Sequence, residues 1–118
     1  MRHESAFLKD IVSACRKIEA IVATTNEASF LADEILPAAV LHHLAVIGEA
    51  ISRLSPELRS RHPEVPWHQI VAVRHRVVHA YFDLDWQILW DTAEEEIAPL
   101  RCQVLDILQR EFSPSDLS

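Results

Sequence analysis

A single glycine, Gly48, occurs in this chain of 118 residues. Because β-rich folds place many glycines in tight turns that need positive φ, this scarcity favours helices joined by short connections. Several segments also carry apolar residues at the three- and four-residue spacing of a buried helix face. The sequence therefore predicts an all-α fold, an antiparallel four-helix bundle. A fifth helical piece is possible after Pro99, which should kink or split the last helix.

The predicted helices begin at recognisable start signals. The first spans about residues 5–24, the second begins near Pro37, and the third opens at Trp67. Asp83 or Asp85 can serve as the N-cap of the fourth. We expect one helical domain in all, because the length suits a single hydrophobic core.

The domain should extend over residues 1–112, followed by a frayed tail at residues 113–118. No apolar run approaches the ~20 residues needed to span a bilayer, and the N-terminus lacks a signal-peptide core. We therefore expect a cytoplasmic protein without membrane contact. Cys15 and Cys102 both fall on apolar helix faces, which predicts buried free thiols rather than a disulfide.

Gly48 falls inside the second predicted helix. Glycine in a helix interior costs about 1 kcal/mol relative to alanine. The expected compensation is the close approach of another helix, either within the chain or in a second subunit.

Basic residues concentrate in one segment, although the formal net charge is −7. Residues 53–79 contain only two acids, Glu57 and Glu64. The basic residues of this segment are Arg53, Arg59, Arg61, His62, His68, Arg74, His75, Arg76 and His79. The net charge argues against indiscriminate nucleic-acid binding. Charge alone leaves two interpretations open: a locally basic surface, or ion pairing between neighbouring helices.

The stretch VRHRVVHAYF, residues 73–82, holds the densest group of basic residues. On an ideal helix, Arg74 and His79 would lie ~140° apart, so the spacing suits a site at a helix end or across a subunit interface. Such a pair could cleave RNA without a metal. A neutral imidazole can remove the proton of a ribose 2′-hydroxyl or activate water, and a guanidinium can hold the phosphate.

Two other interpretations of this stretch stay open on the residues alone. Basic side chains near a helix C-terminus stabilise the helix dipole and can cap carbonyl groups. His75 and His79 are four residues apart, a spacing that can present two imidazoles to a metal, with Asp83 as the next ligand if the helix continued. The sequence YFDLD indicates a helix exit, which disfavours the metal.

Three further segments, taken with this motif, resemble the HEPN-domain toxins of the HepT-like group. RHRVVHAY fits the pattern R-x-x-x-x-H-x-Y of that family. AVLHHLAVIGEA resembles its second helix, HPEVPW resembles its Pro-Trp connection, and the spacing Asp85…Trp90…Pro99-Leu100 resembles its last helix. The resemblance covers about residues 28–105.

The resemblance implies an HEPN-like bundle that forms a homodimer, with two copies of the motif facing a shared cleft. It implies a ribonuclease toxin of a toxin–antitoxin module that cleaves RNA without a metal or cofactor. Arg74 and His79 would be the catalytic pair, with His75 and Arg76 in supporting positions. The implied partner is an MNT-type nucleotidyltransferase antitoxin, which would inactivate the toxin by attaching AMP to Tyr81.

Two positions depart from the family pattern. His75 stands where the family commonly has Asn, and Ala80 stands where it commonly has Gly. These departures bear on a second hypothesis, a non-catalytic HEPN binding module that partners a nucleotidyltransferase and binds nucleotide or substrate. A third hypothesis is a structural dimer module.

Overall fold

The computed structural model of the protein describes residues 3–80 and 83–112, and for residues 78–80 and 83–84 it describes the backbone alone. In chain order the elements are α1 (Glu4–Val22), α2 (Glu27–Ala32), α3 (Leu36–Ser52), α4 (Pro56–Arg61), α5 (Trp67–Val77), β1 (Val78–Ala80), β2 (Asp83–Leu84), α6 (Trp86–Glu95) and α7 (Ile97–Glu111). The all-α prediction is confirmed, since helices form nearly all of the described chain.

The long helices form one bundle around a shared core. α1 packs against α3 and α7, while α5 packs against α3 and α6. The largest fully buried side chains are Phe30, Leu8, Ile11, Ile18, Ile47, Ile51, Leu58, Ile70, Leu89, Ile97, Leu100 and Ile107. Among the described residues, no helix is both long and apolar enough to span a bilayer.

Polar caps set the starts of several helices, as their sequences predict. The Ser55 hydroxyl accepts a hydrogen bond from the Leu58 N–H at 3.1 Å. The Asp85 carboxylate accepts one from the Ile88 N–H at 3.2 Å, so Asp85 rather than Asp83 caps α6. Each cap satisfies a backbone donor that has no partner within its own helix.

The last predicted helix is split into two pieces, as expected, but the break lies before Pro99 rather than at it. α6 ends at Glu95 and α7 begins at Ile97, which places Pro99 in the first turn of α7. Backbone N–H groups in a first turn have no helical partner, so proline loses nothing there. Its ring would clash with the carbonyl four residues earlier in a continuous helix, and the chain avoids this by starting a new helix.

The two cysteines lie in different environments. Cys15 is in the core, where burial, reinforced by nearby Glu19, raises the pKa of its thiol to about 12. Cys102 is exposed, so the prediction that both thiols are buried is wrong for this residue. Leu100 and Val104 occupy the core face of α7, and Cys102 falls on the opposite face. Both thiols are free, as predicted.

Candidate active site

A groove lies between α3 and α5, at the basic end of α5. Its volume is about 450 Å³, and it is lined by Leu44, Ala45, Gly48, Glu49, Ser52, Val71, Arg74 and His75. The wall that α3 contributes consists largely of the small residues Ala45, Gly48 and Ser52, which leave the groove open. The groove therefore places two residues of the basic motif beside a cavity that can admit a ligand.

Gly48 borders the open part of this groove. A Cβ built on Gly48 would meet nothing within 4 Å. The close approach of another helix of the same chain, one of the two compensations that the sequence suggested, is therefore not found among the described residues. The other compensation, contact with a second subunit, stays a prediction.

Arg74, His75 and Arg76 occupy the last turn of α5 and are exposed. Among the described side chains, none of the three takes part in an ion pair or a hydrogen bond. Arg53 and Arg61, from the same basic segment, are paired with Glu49 and Glu111 respectively. Ion pairing between helix residues thus accounts for part of the basic segment but not for the motif. Arg74, His75 and Arg76 instead form a locally basic surface.

The three basic residues also suit their position at a helix C-terminus. Exposed cations there stabilise a helix by about 0.3–1 kcal/mol each, because they interact favourably with the carbonyl end of its dipole. This effect requires only exposure on the last turn. It does not explain why Arg74 and His75 also face a groove.

His79 follows α5 directly and lies on β1. Val78 is opposite Leu84 and Ala80 is opposite Asp83, so the register leaves His79 as the extra residue of a bulge. Bulges are frequent next to active sites, where they redirect a side chain. The side chain of His79 lies outside what the structure describes, and so does Tyr81. The predicted meeting of Arg74 and His79 remains a prediction.

The end of α5 also removes the basis of the metal interpretation. Because α5 ends at Val77, His75 and His79 do not share one continuous helix. Among the side chains that the structure describes, which exclude those of His79 and Asp83, no group of three His, Cys, Asp or Glu is placed to hold a metal ion.

Asp85 connects the two helices on either side of the β1–β2 hairpin. Its backbone N–H donates to the carbonyl of Val77 at 2.9 Å, while its side chain caps α6. The sequence predicted the cap but not the bond to Val77. That bond depends on how the intervening residues fold, which no local spacing rule specifies.

Sequence reasoning also missed the α3 wall of the groove. Glu49 forms an ion pair with Arg53 through Nε at 3.0 Å, and the Ser52 hydroxyl donates to the carbonyl of Gly48 at 2.9 Å. The sequence did contain a signal for this wall, because Ala45, Gly48 and Ser52 follow the three- and four-residue spacing of one helix face.

The fold and the site together define a class: an all-α bundle whose basic residues at one helix end have no partner among the described side chains and lie beside an open groove. The family model described as "Ribonuclease HepT-like" matches residues 11–107 of the chain. The chain belongs to this ribonuclease family.

Individual relatives agree with the family match over nearly their whole lengths. A protein named "Putative RNase" from Caldanaerobacter subterraneus subsp. tengcongensis is 34% identical over 111 residues, covering 94% of this chain and 99% of the relative. A "Probable ribonuclease HepT" from Thermococcus cleftensis is 34% identical over 100 residues, covering 85% of this chain and 91% of the relative. A "Putative RNase" from Methanocaldococcus jannaschii is 29% identical over 108 residues, covering 92% of this chain and 93% of the relative. No solved structure matches the chain.

Proposed function

We propose that this protein is the ribonuclease toxin of a toxin–antitoxin pair and cleaves RNA without a metal ion. The observation that carries the proposal is the position of Arg74 and His75. Both line an open groove at the end of α5, have no partner among the described side chains, and closely precede His79. Membership of the HepT-like family supports the same reaction.

In the proposed reaction, Arg74 holds the scissile phosphate and His79 handles the proton. The neutral imidazole removes the proton of the ribose 2′-hydroxyl, and the 2′-oxygen then attacks phosphorus. The bond to the 5′-oxygen breaks, and that oxygen takes a proton from water while the His79 imidazolium returns its proton to solvent, so a 2′,3′-cyclic phosphate and a 5′-hydroxyl form. The guanidinium stabilises the negative charge that develops on the phosphate. Arg76 adds positive potential beside the groove, and His75 offers a hydrogen-bonding imidazole in the groove wall.

We propose that the working unit is a homodimer in which two motifs face one cleft. Val71 supports this proposal, because it is a large apolar side chain in the groove wall that is 36% exposed. The open space beside Gly48 could receive part of the second copy. A dimer across this face would bring both copies of the basic α5 end together.

The proposed off-switch is the transfer of AMP to Tyr81 by a nucleotidyltransferase antitoxin. Tyr81 lies two residues after His79 in the sequence. Each AMP group would bring a phosphate and an adenosine close to the proposed catalytic pair. The added negative charge and bulk would compete with an RNA phosphate for Arg74.

The test is cleavage of single-stranded RNA by purified protein in the presence of a chelator. Arg74→Ala and His79→Ala should each lower kcat at least a hundredfold, because each removes a group that acts in the transition state. Arg110→Ala removes the same charge from an exposed ion pair on α7 and should cleave like the wild type. Tyr81→Phe should cleave RNA but accept no AMP from the antitoxin and ATP.

Mixing the Arg74→Ala and His79→Ala proteins tests the shared cleft. If each active site combines residues of both copies, exchange of subunits should restore part of the activity. If activity does not recover although subunits have exchanged, the shared cleft is contradicted.

If both single variants cleave RNA like the wild type, the assigned catalytic pair is wrong. If the wild-type protein binds the antitoxin but never cleaves RNA, the non-catalytic binding module is the correct function.

A further inference from the structure

A second basic site lies at the opposite end of α5, around Arg59. A cavity of about 480 Å³ separates the end of α4 from the beginning of α5. Its polar lining comes from Arg59, Ser60, Glu64, His68 and Gln69. Nothing in the proposed catalytic step uses these residues.

Arg59 lines this cavity, and one of its hydrogen-bond donors is buried and unsatisfied. Its Nε–H is shut off from solvent and has no hydrogen-bond partner among the described residues. Arg61, two positions later, is ion-paired with Glu111. A buried donor without a partner is costly, and the cost is greater when the group is charged. In addition, no ion pair among the described residues neutralises Arg59, so the charge of its guanidinium can attract an anion into the cavity.

The other polar groups fit an anion better than a nucleobase. Ser60, His68 and Gln69 can each donate a hydrogen bond. Glu64 is the one acid of the lining, and it lies 3.4 Å from His62 Nδ1 with 60% of its side chain exposed. The indole of Trp67 offers no free face for stacking, since the residue is only 5% exposed.

One exposed face of α5 connects this cavity to the groove at Arg74. His68, Val71 and His75 follow the three- and four-residue spacing of a single helix face, and all three are exposed. His68 lines the Arg59 cavity, whereas Val71 and His75 line the groove. Six residues separate His68 from Arg74, which is about 9 Å along the helix axis. An RNA strand that passes along α5 beside the proposed dimer contact at Val71 would reach both sites within a few nucleotides.

We propose that the Arg59 cavity is an RNA-backbone subsite, which binds a phosphate a few nucleotides away from the bond held at Arg74. The inference rests on the proposed ribonuclease function and extends it. The subsite gives long RNA an additional anchor. A dinucleotide, which is too short to reach Arg59, gains nothing from it.

The binding test uses a fluorescent single-stranded RNA and a His79→Ala background, so that the RNA stays intact. Arg59→Ala should weaken binding about tenfold, because a hydrogen-bonded phosphate contact is lost. It should also lower the slope of log affinity against log salt concentration by about 0.7, the value for one phosphate contact on a single strand. Arg110→Ala, the matched control, should change neither quantity.

The cleavage test uses the native catalytic residues. Arg59→Ala should raise KM for a long RNA about tenfold and leave the cleavage of a dinucleotide unchanged. Thermal unfolding checks the fold, and the Arg59→Ala protein should be at least as stable as the wild type because an unsatisfied donor is removed. Arg59→Lys provides a second variant. It keeps the charge without the planar guanidinium that can bind a phosphate with two hydrogen bonds, so its RNA affinity should be intermediate.

Glu64→Gln separates phosphate binding from base recognition. A phosphate subsite predicts equal or tighter RNA binding, because the variant removes a nearby negative charge. Weaker binding by Glu64→Gln would overturn the phosphate assignment. The subsite is also wrong if Arg59→Ala binds RNA as tightly as Arg110→Ala does. A wild-type protein that binds RNA without cleaving it would refute the proposed function. The binding test would still show whether Arg59 contributes to RNA affinity.

Discussion

Gly48 is a residue whose helix-destabilising effect has no compensation among the described parts of the chain. It lies well inside α3, its φ is not positive, and a Cβ at this position would meet nothing within 4 Å. Neither backbone conformation nor packing against the described residues therefore requires glycine. What the missing side chain does provide is open space in the groove that Arg74 and His75 line.

Substitutions at Gly48 should accordingly separate stability from activity. Gly48→Ala should raise the free energy of unfolding by about 1 kcal/mol, because alanine has the higher helix propensity and fits without strain. Gly48→Leu should fold but lower RNA cleavage, because its side chain fills the groove. Chemical denaturation and cleavage rates are the measurements. Ala38→Leu adds the same side chain to an exposed position of α3 that does not line the groove.

Cleavage by Gly48→Leu at the rate of Ala38→Leu would show that the groove does not take part in the reaction.

At the scale of secondary structure, the β1–β2 hairpin connects α5 to α6 and carries His79. Asp85 fixes both ends of this connection through its bond to Val77 and its cap on α6. The position of the proposed catalytic histidine thus depends on a residue that does not touch the substrate. Asp85 is a positioning residue in this scheme.

Asp85→Ala should lower the free energy of unfolding by about 1 kcal/mol, because the Ile88 N–H loses its acceptor. Fraying of the first turn of α6 should loosen the hairpin and lower kcat severalfold, with little change in KM. Asp85→Asn is the matched control, since asparagine caps helices about as well as aspartate. It should restore both stability and kcat. If Asp85→Asn is as slow as Asp85→Ala, the Asp85 carboxylate affects catalysis by something other than capping α6.

The elements differ in how far their sequences predict them. The starts of α4 and α6 follow from Ser55 and Asp85, because a cap is a contact between residues three apart. The hairpin was not predicted, although the helix exit was. Pairing of Val78 with Leu84 depends on the chain reversing between them, and a strand of three residues is too short to show an alternating pattern.

At the scale of the whole molecule, ion pairs between distant segments decide which basic residues remain available. Arg61 donates to Glu111 at 2.7 Å, and Arg101 donates to Glu19 at 2.7 Å. The sequence located the basic segment and the motif at Arg74. It could not show that Arg61 is neutralised, because its partner Glu111 comes from another helix, whereas the partner of Arg53 lies four residues earlier on α3. The spacing of the α3 wall was visible in the sequence, but its position opposite the end of α5 depends on how the helices pack.

Glu111 ties the end of α7 to the end of α4, through Arg61 and His62. Burial alone would raise the pKa of Glu111, but the hydrogen bonds from Arg61 and His62 outweigh it and lower the pKa. A carboxylate whose pKa is lowered by folding stabilises the native state above its unfolded pKa, about 4.3. That stabilisation disappears as the pH falls through the lower pKa of the folded state.

Glu111→Gln should therefore reduce the free energy of unfolding by about 1 kcal/mol at neutral pH, because the ion pair with Arg61 and the charged hydrogen bond with His62 are lost. The difference from the wild type should shrink below about pH 4, where the wild-type carboxylate also becomes protonated. Urea denaturation at several pH values measures both effects. Asp106→Asn is the matched control, because Asp106 pairs with Arg110 on an exposed helix face and should contribute little. A Glu111→Gln difference that stays constant with pH would show that packing at this helix end, rather than charge, holds α4 against α7.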